Sequence, residues 1–350
     1  MNDVLRLAVD ARDLPSDTRG IGRYARAILR RLIQRPDIDL TLLAYGPFPG
    51  RHRSRMRAAL GSDRFRIASH PRGCEVVWHP ANGTFFKSRV PAVVTIHDAV
   101  PFRYPDPDPK RRERQQAPFL DSVRTGSRFI AVSEFGRDEL TDVFALSADR
   151  IDVIYHGVDT AFSPGPAADA PYLLFVGQTG PVEPRKNFPL LYQAYRSAFA
   201  AGGPPLVVVG PTDPRLENVR YAGLAAGDAA GSGDEFLRDL YRGALALCVP
   251  SYHETFGMPM VEAMACGTPV LASRASCLPE IAGDAALYGE PHDVRSWSRI
   301  LTEIVQSAPL RASLRERGLA RARRYDWDVS ARRHAELFRR AARASNPPRN

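Results

Sequence analysis

Short apolar runs rich in β-formers alternate with amphipathic stretches through most of the chain, the pattern of parallel strands flanked by helices. In the first half, Leu5 to Val9, Leu40 to Ala44, Val90 to Ile96, Phe129 to Val132 and Ile151 to Ile154 read as strands. Gly22 to Ile33 and Glu134 to Phe144 read as helices. Periodicity then lapses over Ser163-Pro164-Gly165-Pro166-Ala167-Ala168, the predicted linker. It resumes with strands at Tyr172 to Val176, Leu206 to Val209, Ala246 to Val249 and Val270 to Ala272. Helices at Pro189 to Ala200, Asp234 to Arg242 and Pro259 to Ala265 lie between them, and Gly223 to Gly233 is a predicted surface loop. The pattern predicts two doubly wound α/β domains, 1–162 and 163–325, followed by a C-terminal segment 326–350.

A chain of 350 residues is long for one core and comfortable for two. No stretch approaches the ~20 apolar residues that span a bilayer. Met1 to Asp13 carries Asp3 and Asp10 and lacks the features of an export signal, so a cytoplasmic location is expected. Cys74, Cys248, Cys266 and Cys277 lack the paired spacing of a zinc site and read as packing residues. The net charge of +9 attracts polyanions without choosing among them. Lysine occurs only at Lys87, Lys110 and Lys186, which gives a lysine inside a motif more weight. The clusters Arg51, Arg53, Arg55, Arg57 and Lys110, Arg111, Arg112, Arg114 read as solvated faces or as peripheral contacts with an anionic membrane. Aromatic residues do not interleave with them, which argues against nucleic acid as a partner.

The densest chemical signal is Pro250 to Val270, containing Glu254-Thr255-Phe256-Gly257-Met258-Pro259 and Glu262. A buried strand ends at Val249, a loop follows, Pro259 suits a first helical turn and Gly267 its C-terminal cap. Glu254 is thereby delivered to the carboxyl end of a parallel strand, where ligands of such sheets sit. Amides at the helix start, at Phe256 and Gly257, suit a phosphate oxygen. Glu262 is expected in the first turn, pointing back toward the same opening, where it would accept from ribose hydroxyls. Helix-dipole compensation explains Glu262 tolerably but does not explain a glutamate in the preceding loop.

Two glutamates separated by seven residues in this setting resemble the signature of family 4 retaining glycosyltransferases. The resemblance implies a GT-B fold, two Rossmann-like domains facing a central cleft, with the C-terminal helix packing back on the first domain. It places Glu254 on hydroxyls of the donor sugar, Glu262 on the ribose, and the backbone of Phe256 and Gly257 on sugar and diphosphate. Gly20-Ile21-Gly22-Arg23-Tyr24 resembles the family's first loop, so Gly20 and Gly22 are expected near the donor phosphates. Thr95-Ile96-His97-Asp98 resembles the segment whose histidine faces the transferred sugar. Glu183-Pro184-Arg185-Lys186-Asn187 resembles the basic diphosphate site, which assigns Arg185 and Lys186 to the departing phosphate. Many relatives carry arginine directly after the preceding strand glycine, where this chain has Gln178.

The expected catalytic residues are therefore His97, Glu254 and Lys186, and the activity that of a retaining hexosyltransferase. The nucleotide diphosphate sugar is its substrate and no cofactor is expected. The Asp-x-Asp patterns at Asp37, Asp106 and Asp326 are of a kind common by chance among 39 acidic residues, so metal independence is expected. His97 to Pro101, with Gly20 to Tyr24, most resembles a branch of mannosyltransferases of polysaccharide assembly. GDP-mannose is the expected donor and a glycan or lipid-linked glycan the expected acceptor, at the inner membrane face. The alternatives are a UDP-sugar-dependent transferase and a GT-B sugar-nucleotide epimerase or hydrolase.

Overall fold

The computed structural model describes residues 4–12, 14, 20–44, 46, 48–84, 88–166, 171–180, 183–223 and 232–345. The chain divides into two compact units, Met1–His156 joined by Trp327–Asn350, and Gly157–Asp326. The break falls between His156 and Gly157, six residues before the predicted 162/163 boundary. Ser163 to Pro166, chosen as linker for its composition, is part of the second unit. Arg242 donates to the Ser163 carbonyl at 2.8 Å and to its hydroxyl at 3.1 Å, which fastens that irregular backbone to a helix. Ala167 and Ala168 of that stretch, and residues 224–231 of the predicted loop, lie outside the described residues. Ser232 and Gly233 already open a helix.

Among the described residues the first unit has seven parallel strands: β1 (Leu5–Asp10), β2 (Ile38–Leu43), β3 (Arg66–Ala68), β4 (Val76–His79), β5 (Ala92–Ile96), β6 (Arg128–Ala131) and β7 (Ile151–Val153). Their order is β3-β2-β1-β4-β5-β6-β7. The second unit has six: β8 (Tyr172–Val176), β9 (Leu206–Val209), β10 (Val219–Tyr221), β11 (Ala244–Val249), β12 (Val270–Ser273) and β13 (Ala286–Gly289). These run β10-β9-β8-β11-β12-β13, again all parallel. In each sheet the order reverses direction beside the first strand, between β1 and β4 and between β8 and β11. Ligands of open α/β sheets sit outside the carboxyl ends of strands at such switch points.

Local chemistry sets the helix starts. Asp108 accepts from the amides of Lys110 and Arg111 and is followed by Pro109, which fixes the entry to helix Pro109–Thr125. Asp293 caps helix Val294–Gln306 through the amides of Arg295 and Ser296, and Ser307 caps Ala308–Ala322 through Leu310. Trp297, Ile300, Leu301 and Ile304 of the first of these are fully buried in one cluster with Leu173, Phe175, Leu191 and Tyr195. Burying four such side chains stabilises the second unit by roughly 1.5 to 3 kcal/mol each. The C-terminal helix Trp327–Ser345 belongs to the first unit. Trp78 of β4 lies edge-on to His334 at 5.5 Å and 5.5 Å from the Phe338 ring, and Arg339 reaches Asp37 at 2.8 Å. No helix among the described residues is long and apolar enough to cross a membrane.

Candidate active site

The second unit gathers three of the expected residues at its switch point. The segment after β8 ends in a single turn, Pro184–Lys186, and Asn187 follows with a left-handed φ of +55°. That conformation aims the Asn187 amide at the loop after β11, where it donates to the carbonyls of Pro250 at 3.0 Å and, farther on, of Pro291 at 2.8 Å. The Tyr252 amide answers by donating to the Arg185 carbonyl at 3.0 Å. With the two loops stitched together, Lys186 Nζ donates to Glu254 Oε1 at 2.7 Å and Arg185 Nη1 to Oε2 at 3.3 Å. The Ser251 hydroxyl donates to Oε1 at 2.8 Å, and Ser276 accepts from the Glu254 amide at 3.0 Å.

Glu254 is only 8% exposed, and burial alone would raise its pKa. The charges of Lys186 and Arg185, with the Lys186 and Ser251 hydrogen bonds, outweigh that and hold it down at about 2. The carboxylate is thus ionised and rigid, and two cations stand beside it in a place shielded from water. Arg185 also reaches the more exposed Glu183 at 3.4 Å.

Phe256 and Gly257 follow in the same loop. Gly257 caps helix Met258–Cys266 in the left-handed region, φ +79°, and a Cβ there would meet Leu278 at 3.3 Å, so glycine suits it on both counts. At the carboxyl end of β8, the Gly177 carbonyl passes so close to Gly210 that a Cβ on Gly210 would lie 2.1 Å from it. Only glycine lets these two strand ends approach.

Glu262 differs from its expected place. It is the fifth residue of its helix, beyond the first turn, because the helix starts at Met258. It is 2% exposed, and its Oε2 accepts from the Tyr241 hydroxyl at 3.0 Å.

The first unit holds the other candidates. His97 follows β5 and is 7% exposed. Asn82, with φ +41°, accepts from the His97 amide at 2.6 Å, and the Pro80 carbonyl lies 2.8 Å from Nε2. A carbonyl only accepts, so the proton sits on Nε2. Gly20 and Gly22 lie in the first turn of helix Gly20–Leu32, not in a loop, and neither has a positive φ. Among the described residues nothing approaches within 4 Å of where a Gly20 Cβ would stand.

The Asp-x-Asp carboxylates have structural partners. Asp37 pairs with Arg35 and Arg339, Asp39 with Arg66, and Asp328 with Arg31, while Asp108 is the helix cap. Among the described residues no group of three or more His, Cys, Asp or Glu could hold a metal ion. In the first basic cluster, Arg53 and Arg57 both face Asp63, at 3.8 and 3.6 Å. The four cysteines are free thiols, three of them buried.

The residues that the motif alone could not reveal are Ser251, Ser276, Asn187 and Tyr241, which hold the charged groups in place. Ser251 and Asn187 lie within the motif segments, whereas the partners of Ser276 and Tyr241 lie 22 and 21 residues away and no local pattern marks those two.

Solved structures with this whole architecture include sucrose-phosphate synthase from Thermosynechococcus elongatus, at TM-score 0.71 and 17% identity over 97% of this chain and 100% of that one. Anabaena HepE, solved with UDP and glucose, follows at TM-score 0.68 and 16% identity over 96% and 100%. The molecule is thus a GT-B protein, each unit a doubly wound α/β domain. A model described as Glycosyltransferase Family 4 matches residues 18–162, and one described as Glycosyl transferases group 1 matches 159–321. The O-antigen chain mannosyltransferase B of Escherichia coli is 30% identical over 356 residues, 88% of this chain and 93% of that protein. A D-inositol 3-phosphate glycosyltransferase of Acidothermus cellulolyticus is 30% identical over 63% of this chain and 54% of its own length. The chain belongs to family 4 of the glycosyltransferases and is a sugar-transferring enzyme.

Proposed function

We propose that this enzyme is a retaining, metal-independent hexosyltransferase that moves mannose from GDP-mannose to a glycan or lipid-linked glycan during polysaccharide assembly. The observation that carries the reading is the Lys186–Glu254–Arg185 cluster at the switch point of the second unit. A leaving nucleoside diphosphate gains negative charge as the glycosidic bond breaks. Fixed cations that need no reorganisation stabilise that charge most effectively where water is excluded. Lys186 and Arg185 would take the diphosphate, and the amides of Phe256 and Gly257 the sugar and phosphate oxygens. Glu254, held ionised, would orient the sugar hydroxyls and favour positive charge at the ring. Glu262 would hold the ribose, Gly20 and Gly22 would let backbone approach the phosphates, and His97 would meet the transferred sugar.

In the reaction the acceptor oxygen bonds to the anomeric carbon on the face from which the diphosphate departs. The bond from that carbon to the diphosphate oxygen breaks, and the acceptor proton passes to the departing phosphate. The products are a glycoside of unchanged configuration and the nucleoside diphosphate. The arginine and lysine would supply the electrostatic work that a metal does elsewhere. Mannose as the sugar draws on the activity that the Escherichia coli relative's name describes. The basic clusters would bring the enzyme to an anionic, membrane-borne acceptor on the cytoplasmic side.

A melting series with GDP-mannose, GDP-glucose, UDP-glucose and UDP-N-acetylglucosamine tests the donor, since the true donor raises the melting temperature by mass action. A rise with GDP-mannose is expected, and a rise only with a UDP-sugar discards that donor. Release of free sugar or of an epimer without acceptor would replace transfer by hydrolysis or epimerisation. The anomeric coupling of the product, read by NMR, decides retention.

A further inference from the structure

A one-way chain of hydrogen bonds runs through the core of the first unit and passes through Tyr24, whose ring lies against His97. Trp78 Nε1 lies 3.0 Å from Thr95 Oγ1, which lies 2.9 Å from the Tyr24 hydroxyl. That hydroxyl lies 2.5 Å from His334 Nε2, and His334 Nδ1 lies 2.7 Å from the Ser330 carbonyl. Every proton in the chain can be assigned. The Ser330 carbonyl only accepts, so Nδ1 of His334 carries hydrogen. Burial keeps the ring neutral, its pKa lowered to about 4, so Nε2 is an acceptor and Tyr24 must donate to it. The Tyr24 oxygen then accepts from Thr95, whose own oxygen accepts from the indole, a donor only.

The chain fixes the Tyr24 ring at its tip. Tyr24 is 1% exposed, and its ring meets that of His97 edge to face at 4.8 Å and that of His156 at 4.9 Å. Thr95, in β5, is two residues before His97. The Pro80 carbonyl at Nε2, the Tyr24 ring at its side and the His156 ring stacked at 5.6 Å all restrain the His97 ring.

We infer that Tyr24 and His334 are positioning residues for His97, the C-terminal helix setting the histidine's ring through the tyrosine hydroxyl. The inference rests on the proposed contact of His97 with the donor sugar. A ring held at its tip and its side cannot drift from a productive pose, and misplacement by an ångström costs up to about a hundredfold in rate.

The test is a double-mutant cycle on the full enzyme with saturating substrates. Tyr24→Phe removes one oxygen and keeps the ring, and is expected to lower kcat about tenfold with the donor KM within about twofold. In a His97→Ala background the same change is expected to alter kcat by less than about twofold, since the group it positions is gone. A purely packing role would leave the two losses multiplicative, which overturns the inference, as does near-parental Tyr24→Phe beside a slow His97→Ala. A near-parental His97→Ala instead defeats the reading of His97 and this inference with it. If Tyr24→Phe does not fold, Thr95→Val interrupts the same chain and is judged by the same outcomes. Nitrogen NMR of the parent must also find hydrogen on His334 Nδ1 and not on Nε2 at neutral pH, and the opposite tautomer overturns the chain.

Discussion

Lys186 Nζ and Glu254 Oε1 stand 2.7 Å apart across the switch point of the second unit, joining loops 68 residues apart in sequence. Because the ammonium is already oriented before any ligand arrives, its contribution should fall mainly on the transition state. Lys186→Ala is expected to cut kcat by roughly 10² to 10³. Lys186→Arg keeps the charge but not the point geometry and should recover only part of the loss. Gln178 offers no compensating charge. Near-parental turnover in a folded Lys186→Ala enzyme with saturating donor would move the role to Arg185.

Glu262 should show a different kinetic pattern. As a ribose acceptor it binds ground state and transition state alike, so Glu262→Ala is expected to raise the donor KM more than it lowers kcat. The variant also loses the Tyr241 hydrogen bond, worth about 1 kcal/mol of stability, which a urea titration will register. An unchanged donor KM in the folded variant removes the ribose assignment.

Gly20→Ala separates ligand contact from packing. Among the described residues nothing lies within 4 Å of the added methyl, and Gly20, the first residue of its helix, has no positive φ that would oppose alanine. Stability should therefore hold while the donor KM increases. If both stay at parental values, the first helical turn does not approach the donor.

Acid should weaken the two units in different windows. His334 takes its proton near pH 4 when folded, against an ordinary value of 6.5. The unfolded chain binds that proton first, so stability is full above pH 6.5 and is lost as pH falls toward 4, with buried His156 acting in the same direction. Glu254 is held at about 2 against an ordinary 4.5, so its contribution is full above pH 4.5 and is lost as pH falls toward 2. Denaturant midpoints at pH 7, 5.5 and 4 should fall in the parent and less steeply in His334→Gln, while Glu254→Gln should change the slope only below about pH 4.5. Parallel curves for parent and His334→Gln would place the titration elsewhere.

Chelation bears on the proposed mechanism. If the two cations do the electrostatic work, EDTA leaves the transfer rate within about twofold. Activity lost to EDTA and restored only by magnesium or manganese would require a metal site that the present reading lacks.

The candidate site was legible in part because its signal is local. Val249, Pro259 and Gly267 mark a strand end, a first helical turn and a C-terminal cap, and the strand Ala244–Val249 and the helix Met258–Cys266 with Gly267 as its cap fall there. The ion pairs that hold Glu254 are not legible, since Arg185 and Lys186 meet it through backbone turns with no periodicity. Strand β4 escaped notice because Val76 to His79 is buried on both faces and shows no alternation. Glu262 lies one residue deeper in its helix than Pro259 as first residue implies, because Met258 occupies that position. The compact units divide six residues before the expected boundary: Pro and Gly mark irregular backbone, not its attachment, and Arg242 supplies the attachment from 79 positions away.

The return of the C-terminal helix to the first unit has a consequence for synthesis. Tyr24 and His334 are 310 residues apart, and the whole second unit is translated between them. At ~5 to 20 residues per second, the tyrosine emerges about 15 to 60 s before its partner exists. For that interval the first sheet lacks the helix that covers Trp78 and Tyr24, while the second unit can already fold. The half made first is therefore the half completed last, and its exposed aromatic core is where a nascent chain would depend on a chaperone.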